Sequence, residues 1–193
     1  MQYRTHTCGE LRKEHIGKTV TLAGWMENMR EVSTALAFVV IRDFYGTTQL
    51  VIDDESILKT LRGWNKETVI SATGTVRERS SKNPQQATGD IEVVPAQVSV
   101  LGKCHHNALP FPINHSREAD ETTRLKYRYL DLRNPEVRDN IVLRCKVVSA
   151  LRSAMQRHDF LEITTPILTA SSPEGARDYL VPARKHPGMF YAL

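Results

Sequence analysis

The first hundred residues are predicted to form a small β-barrel with one helix, followed by the start of an α+β domain. Apolar and polar residues alternate in five short runs, as in strands that bury one face. Between the third and fourth runs, apolar residues recur once at helical spacing, and a much longer helical pattern follows residue 134. With 193 residues, 40% of them hydrophobic, the chain is long enough for one large domain or two small ones.

The predicted barrel strands follow one another at short intervals. They cover residues 19–26, 35–42, 47–52, 68–79 and 89–101, and the helix covers residues 53–64. A polar loop, residues 27–34, is predicted between the first two strands, and Pro95 predicts an edge or a bulge in the fifth. Five strands with a helix between the third and fourth is the order of an OB-fold, so residues 1–101 are predicted to form one OB-fold domain.

An OB-fold binds nucleic acid on the face of its second and third strands and on the loops that join strands one to two and four to five. An aromatic ring, an amide and several cations fall there, which are the groups that single-stranded RNA recognition needs. These candidates are Arg30 in the first loop, Phe38, Gln49, Arg77, Arg79, Lys82 and Asn83. Two of these assignments have an open alternative. Phe38 either stacks on a base or packs in the core with Leu36 and Val40. Arg77 and Arg79 either bind RNA or belong to an ordinary solvated strand face.

Residues 102–120 are predicted to be a linker, because prolines and histidines interrupt both periodicities there. Residues 121–193 are predicted to begin a second domain with a helix from Arg124 to Leu132. A longer helix follows Asn134 and Pro135, a cap and a first-turn proline. Its apolar stripe is explained equally well by core packing and by a dimer contact; the stripe comprises Ile141, Cys145, Val148, Leu151 and Met155.

A short strand from Phe160 is predicted to end at Thr165 and Pro166, and a second strand to run through Tyr179 and Val181. Glu174 lies at the apex of the polar turn between them. A carboxylate beside proline and glycine in a turn is usually only solvated, so this position alone does not indicate a site.

Charge and cysteine content narrow the functional classes only slightly. The net charge of +4 suits a polyanionic partner. Cys8, Cys104 and Cys145 lack the spacing of a zinc site, so reduced thiols and no metal site are expected, even beside His105 and His106. No apolar run approaches a membrane span and the N-terminus is too polar for a secretory signal, so a cytoplasmic location, or alternatively the mitochondrial matrix, is expected.

Several runs of residues resemble the bacterial and mitochondrial type of aspartyl-tRNA synthetase, a class II ligase. They are CGELR, RLKYRYLDLRNPE, and above all TPIL with PEGARDYLVP and FYAL. The resemblance covers the whole chain. It implies an enzyme that uses ATP and Mg²⁺ to convert L-aspartate to aspartyl adenylate and then transfers the aspartyl group to the 3′ end of aspartate tRNA. It also implies that the OB-fold reads the anticodon and that the enzyme is a homodimer.

The resemblance also assigns roles to individual residues. It implies that Glu174 faces the ammonium group of aspartate, that Lys82 helps to discriminate between tRNAs, and that Pro166 ends the strand of motif 1 at the dimer interface. The implied anticodon contacts are Arg30, Phe38, Gln49, Arg77, Arg79 and Glu92, to which the position of Asn83 adds a further candidate. One departure is that the family has a run of arginines after its GW, whereas GWMENMREV keeps only Arg30.

The family's ATP-binding motifs lie beyond residue 193. No catalytic residue is therefore expected within these 193 residues, and we expect the chain alone to be inactive in aspartate activation. Two alternatives stay open: a non-catalytic RNA-binding module built on the OB-fold, which is a different functional class, and a dimerising fragment with no activity.

Overall fold

A computed structural model describes residues 3–106, 108–171 and 178–193. The chain divides into two compact units, Met1–Asn134 and Pro135–Leu193. The predicted domain boundaries, at residues 101 and 120, differ from this division, since the predicted linker and the two short helices after it group with the barrel.

The first unit contains a closed five-stranded barrel, as the sequence predicts. Its elements are β1 (Thr19–Ser33), β2 (Leu36–Arg42), β3 (Thr47–Ile52), α1 (Glu55–Leu61), β4 (Val69–Glu78) and β5 (Ile91–Gly102). The strand order around the barrel is β1-β2-β3-β5-β4, and β4 pairs in turn with β1. All neighbours are antiparallel except β3 and β5, which are parallel where Leu50 faces Val93.

The barrel core is built from the inward half of each alternating strand and from one face of α1. Asp54 caps α1 by accepting hydrogen bonds from the backbone N–H groups of Ser56 and Ile57, and the helix buries Leu58 and Leu61. The strands contribute Val20, Leu22, Met26, Ala37, Val39, Ile41, Leu50, Ile52, Ile70, Ala72, Val76, Ile91 and Val93. Burial of these side chains is the main driving force for closing the barrel.

The first strand is much longer than its apolar alternation indicates. It continues to Ser33 and pairs with β2 as far as Leu36, with register shifts after Met26 and Glu31. The predicted loop at residues 27–34 was therefore wrong. Most of this outer stretch is exposed on both faces, so its sequence carries no alternation, although its backbone is paired.

The irregularity predicted at Pro95 is confirmed. The register of β4 and β5 shifts between Thr73 and Gly74, where Gly74 faces Pro95. A Cβ atom on Gly74 would lie 2.1 Å from the carbonyl oxygen of Val94, so only glycine fits at this position.

The segment after the barrel has a small core of its own. It contains a 3₁₀ turn (Ile113–Glu118), α2 (Glu121–Lys126) and α3 (Arg128–Asp131). Phe111, Ile113 and Leu130 form a hydrophobic cluster separate from the barrel core. The single helix predicted for residues 124–132 was wrong, because Tyr127 (φ −110°, ψ 42°) interrupts it.

The second unit begins with the predicted long helix, α4 (Pro135–Arg157), and ends with the hairpin of β6 (Leu180–Pro182) and β7 (Phe190–Ala192). The strand predicted to end at Thr165 is wrong, since residues 160–168 form no strand. An extended segment becomes a strand only where a neighbour completes its hydrogen bonds. Among the described residues, only Thr169 makes such a bridge here, with Ala192.

Candidate nucleic-acid interface

The structure decides between the two alternatives for Phe38. Ala37, Val39 and Ile41 are the residues of β2 that are fully buried in the core. Phe38 belongs to the opposite set, which is only partly buried and points away from the core. An aromatic ring on the outer face of an OB-fold strand is available for stacking on a base.

Arg30 lies beside this ring, on a strand and not in a loop as the sequence predicted. Its Cα is paired with that of Phe38 across the β1–β2 ladder, which places both side chains on the same face. The guanidinium carbon of Arg30 is 5.3 Å from the centroid of the Phe38 ring, within cation–π distance. The pair therefore presents a ring and a cation together, as a base and its neighbouring phosphate require.

Gln49 and Arg77 are joined through the buried carboxylate of Glu92. Gln49 Nε2 donates to Glu92 Oε2 at 3.0 Å, and Arg77 Nε donates to Glu92 Oε1 at 2.8 Å. The side chain of Glu92 is only 5% exposed, whereas that of Arg77 is 48% exposed. Glu92 thus holds the other two side chains by charge-assisted hydrogen bonds from beneath the surface.

This arrangement determines what the surface presents. Because the amide nitrogen of Gln49 donates to Glu92, its carbonyl oxygen remains as an acceptor for a donor on a base edge. The outer part of Arg77 can contact phosphate while its Nε is held in place. Three neighbouring strands, β3, β5 and β4, supply Gln49, Glu92 and Arg77, which the chain separates by up to 43 residues.

The loop between β4 and β5 carries the remaining predicted residues. Asn83 shapes the loop: its side-chain oxygen accepts from the backbone N–H of Gln85, and its backbone N–H donates to the carbonyl of Gly89. Lys82 makes an exposed ion pair with Glu78 at 2.8 Å. Arg79 is partly buried at the end of the strand. Of these three candidates, Lys82 has its charge paired and Asn83 has a structural role.

The CGELR run fastens the N-terminal segment to the β2–β3 turn. Asp43, which is buried, accepts from Arg4 Nη1 at 3.0 Å, from the Cys8 backbone N–H at 2.9 Å, and from the backbone N–H groups of Tyr45 and Gly46. Burial, followed by the nearby negative charge of Asp43, raises the pKa of the Cys8 thiol, so this cysteine is unreactive.

The RYLDLR run, residues 128–133, also contains a buried carboxylate that accepts several hydrogen bonds. Asp131 is fully buried and accepts from Ser116 Oγ at 2.7 Å, from Arg124 Nε at 3.3 Å and from Arg128 Nη1. It therefore ties the 3₁₀ turn and both short helices together. Two basic side chains of this segment, Arg124 and Arg128, are thus directed inward, toward Asp131.

Two sequence predictions concern the second unit. Glu174 lies outside the described residues, so its role stays a prediction. Pro166 is exposed, and so are the apolar side chains of the α4 stripe, from 38% for Ile141 to 61% for Leu151. Core packing within the described residues does not explain that stripe.

Within the described ranges, no group of three His, Cys, Asp or Glu side chains is placed to hold a metal ion. In the same part of the chain, no helix is both long and apolar enough to span a membrane.

Comparisons with known proteins agree with this geometry. Residues 20–101 match the family model of the OB-fold nucleic acid binding domain, and residues 120–193 match that of the class II tRNA synthetases (D, K and N). The fold is also that of a putative aspartyl-tRNA synthetase from Leishmania major (TM-score 0.85, 20% identity, all of this chain and 39% of that one). An asparaginyl-tRNA synthetase from Pyrococcus horikoshii is similar as well (TM-score 0.78, 24% identity, 97% and 42%).

These matches indicate the class that this chain resembles, the class II tRNA synthetases, represented here by an OB-fold barrel and the start of a catalytic domain. Within that class, the chain is homologous to aspartate–tRNA ligases over nearly its whole length. It is 48% identical over 194 residues to the aspartate–tRNA(Asp/Asn) ligase of Dinoroseobacter shibae and 47% identical over 195 residues to the aspartate–tRNA ligase of Porphyromonas gingivalis. Each alignment covers 99% of this chain, which spans about a third of the relative's length (32% and 33%).

Proposed function

We propose that this chain supplies the anticodon-reading part and the beginning of the active-site domain of an aspartate–tRNA ligase. The observation that carries the proposal is the outer face of the barrel, where Phe38 and Arg30 lie together and Glu92 holds Gln49 and Arg77. An unpaired base stacks on Phe38, Gln49 accepts a hydrogen bond from a base edge, and the arginines contact phosphates. The proposed anticodon-binding residues also include Arg79, Asn83 and Glu92, of which Glu92 acts from beneath the surface by holding Gln49 and Arg77.

In the reaction proposed for the whole enzyme, the aspartate carboxylate attacks the α-phosphate of ATP, which releases pyrophosphate and forms aspartyl adenylate. A hydroxyl group of the terminal ribose of aspartate tRNA then takes the aspartyl group and releases AMP. The described residues do not form a Mg²⁺ site, because no cluster of acidic ligands is present among them. We therefore assign no step of the ATP chemistry to them. The proposed location is the cytoplasm, or alternatively the mitochondrial matrix.

The exposed apolar stripe of α4 supports the proposal that the enzyme is a homodimer. A groove of about 340 Å³ lies beside the stripe, lined by Val148, Leu151, Met155, Phe160 and Leu161 among others. Exposed apolar surface of this kind commonly marks a protein interface. Pro166, which follows in the chain, is proposed to belong to the same contact.

Lys82 is proposed to help to restrict charging to aspartate tRNA. Relatives whose names specify aspartate tRNA alone and relatives whose names specify both aspartate and asparagine tRNA are about equally similar to this chain. In this chain, an ion pair with Glu78 holds the Lys82 ammonium group at the start of the loop between β4 and β5.

Replacing Phe38 by alanine tests the anticodon proposal. The change should weaken binding of an aspartate-tRNA anticodon stem-loop by about 5- to 150-fold, because stacking on one aromatic ring contributes ~1–3 kcal/mol. Fluorescence anisotropy with the labelled stem-loop measures the effect. Phe44→Ala is the matched control, since Phe44 is a 52% exposed phenylalanine at the β2–β3 turn and not on this face. Equal losses for both variants, or affinity independent of salt, would contradict the proposal.

The role proposed for Glu174 is to bind the ammonium group of aspartate. In a full-length ligase carrying this segment, Glu174→Gln should raise KM for aspartate about 10- to 100-fold, the effect of losing a hydrogen bond between charged groups (~1.5–3 kcal/mol). KM for ATP should change little. Steady-state kinetics at varied aspartate and ATP decide the matter, with Asp178→Asn as the comparison variant. If the two KM values move together, Glu174 does not contact aspartate.

A further inference from the structure

A polar cluster around Trp25 joins the barrel to the post-barrel segment, residues 109–133. The guanidinium carbons of Arg133 and Arg42 lie 4.4 Å and 5.3 Å from the centroid of the Trp25 ring. Glu67 bridges the two arginines: Oε1 accepts from Arg42 Nη2 at 2.5 Å, and Oε2 accepts from Arg133 Nη1 at 2.6 Å. The Glu67 side chain is 5% exposed, so the bridge is largely shielded from water.

The backbone of Glu67 is held in an unusual conformation. Its φ is +66°, in the left-handed region, which is uncommon for a residue with a long side chain and costs about 1 kcal/mol or more. Its N–H donates to the carbonyl of Met26 at 2.8 Å, so β1 fixes the point from which the side chain extends. The contacts of the Glu67 side chain with Arg42 and Arg133 offset the cost of this backbone conformation.

A second polar contact lies close to the first. Asn114 Nδ2 donates to Glu27 Oε1 at 3.0 Å, and the same oxygen lies 3.5 Å from Arg42 Nε. The post-barrel segment is thus attached at Asn114 and at Arg133, and both attachments reach β1, at Glu27 and Trp25. Arg30, which carries the proposed RNA contact, follows on the same strand.

Apolar packing contributes little to this joint. The core of the post-barrel segment and the core of the barrel are separate clusters. A cavity of about 530 Å³ lies between them, lined by Trp25, Glu67, Tyr127, Leu130 and Arg133 among others. In some proteins, buried polar contacts specify one arrangement where apolar contacts tolerate several. The position of the segment therefore depends on the cluster.

We propose that Glu67 is a positioning residue that couples the post-barrel segment, residues 109–133, to the RNA-binding face through β1. RNA bound at Arg30 and Phe38 restrains the outer part of β1, and this strand in turn holds Trp25 and Glu27 against Arg133 and Asn114. Opening of the segment, which must break both attachments, becomes rarer when RNA is bound. The inference rests on the proposed anticodon-binding function.

Hydrogen exchange of the 193-residue chain, with and without the anticodon stem-loop RNA, tests the coupling. In the unmodified chain, RNA should slow exchange of segment amides such as those of Ala119 and Leu130 at least fivefold, although it contacts only the barrel face. In Glu67→Gln, RNA should still protect the amides of β2 but should leave the segment unchanged. Asn114→Ala, which removes an exposed side chain and leaves the contacts of Glu67 with Arg42 and Arg133 in place, should reduce the segment response by half or more.

Glu14→Gln is the control, because it removes an equally charged, exposed group that lies outside β1 and outside the segment. It should leave the segment response intact. If no RNA binds to the unmodified chain, the proposed function is wrong. If RNA binds and protects β2 but the segment does not respond, or responds equally in Glu67→Gln, the coupling is wrong and the anticodon proposal stands.

Discussion

Asp131→Asn should lower the free energy of unfolding of the first unit by about 2–3 kcal/mol at neutral pH. Removing one partner from a fully buried ion pair costs ~3–5 kcal/mol, and the smaller value applies because Arg124 and Arg128 are partly exposed and recover some hydration. The substitution keeps the size of the side chain. It replaces one accepting oxygen by an amide N–H group, which cannot accept hydrogen bonds from Ser116, Arg124 or Arg128. Urea unfolding followed by circular dichroism measures the loss, with Asp90→Asn, at a 50% exposed carboxylate of the same unit, as the control.

The same residue gives the stability of the first unit a defined pH dependence. Burial acts to raise the pKa of Asp131, but the hydrogen bonds from Ser116 and Arg124 and the charges of Arg124 and Arg128 outweigh it, so the pKa is held below its usual value. Its stabilisation is therefore fully present above the unfolded-state pKa of about 3.9 and is lost as the pH falls through the lower folded-state pKa. The difference between wild type and Asp131→Asn should shrink at acidic pH. A difference that stays constant from pH 7 to pH 3 would contradict this account.

The barrel was predictable because each core strand has one buried face. Val20, Leu22 and Met26 alternate with polar residues for that reason, and the helical spacing of Leu58 and Leu61 has the same origin. The outer part of β1 has no such signal, because water reaches both of its faces. Arg30 was therefore placed in a loop, although its role beside Phe38 was predicted from the resemblance.

The contacts that organise the site join residues far apart in the chain, and periodicity carries no information about them. Gln49 and Glu92 are 43 residues apart, and Glu67 and Arg133 are 66 residues apart. Sequence reasoning missed the cluster of Trp25, Arg42 and Glu67 altogether. One sequence feature could have indicated the cluster, the RYLDLR run, because it contains Arg133. The run was used only as evidence of family resemblance, and no partners were predicted for its Asp131 and Arg133.

The predicted strand at residues 160–165 failed for a related reason. Its apolar residues satisfy the local requirements of a strand, but a strand also needs a hydrogen-bonding neighbour, which the local sequence cannot specify. Leu161 and Ile163 are 86% and 73% exposed, so nothing among the described residues covers this segment. The short β6–β7 hairpin, by contrast, has both of its strands within 13 residues and was predicted in part, through Val181.

Glu92→Gln should weaken binding of the anticodon stem-loop about 30-fold or more, since disrupting a buried, hydrogen-bonded charge pair at an interface costs at least ~2 kcal/mol. The new amide would place an N–H group against Gln49 Nε2 or Arg77 Nε, both of which are donors, so one of these side chains would turn away.

Two comparisons separate this effect from a simple loss of negative charge. Glu14→Gln removes an exposed carboxylate outside this face and should change the affinity less than twofold. Gln49→Ala should lose most of its effect when combined with Glu92→Gln, because the two residues act as one unit in a double-mutant cycle. Removing a carboxylate from a basic RNA-binding face would by itself strengthen binding through charge alone. Tighter binding by Glu92→Gln, or additive effects of the two substitutions, would show that Glu92 does not orient Gln49.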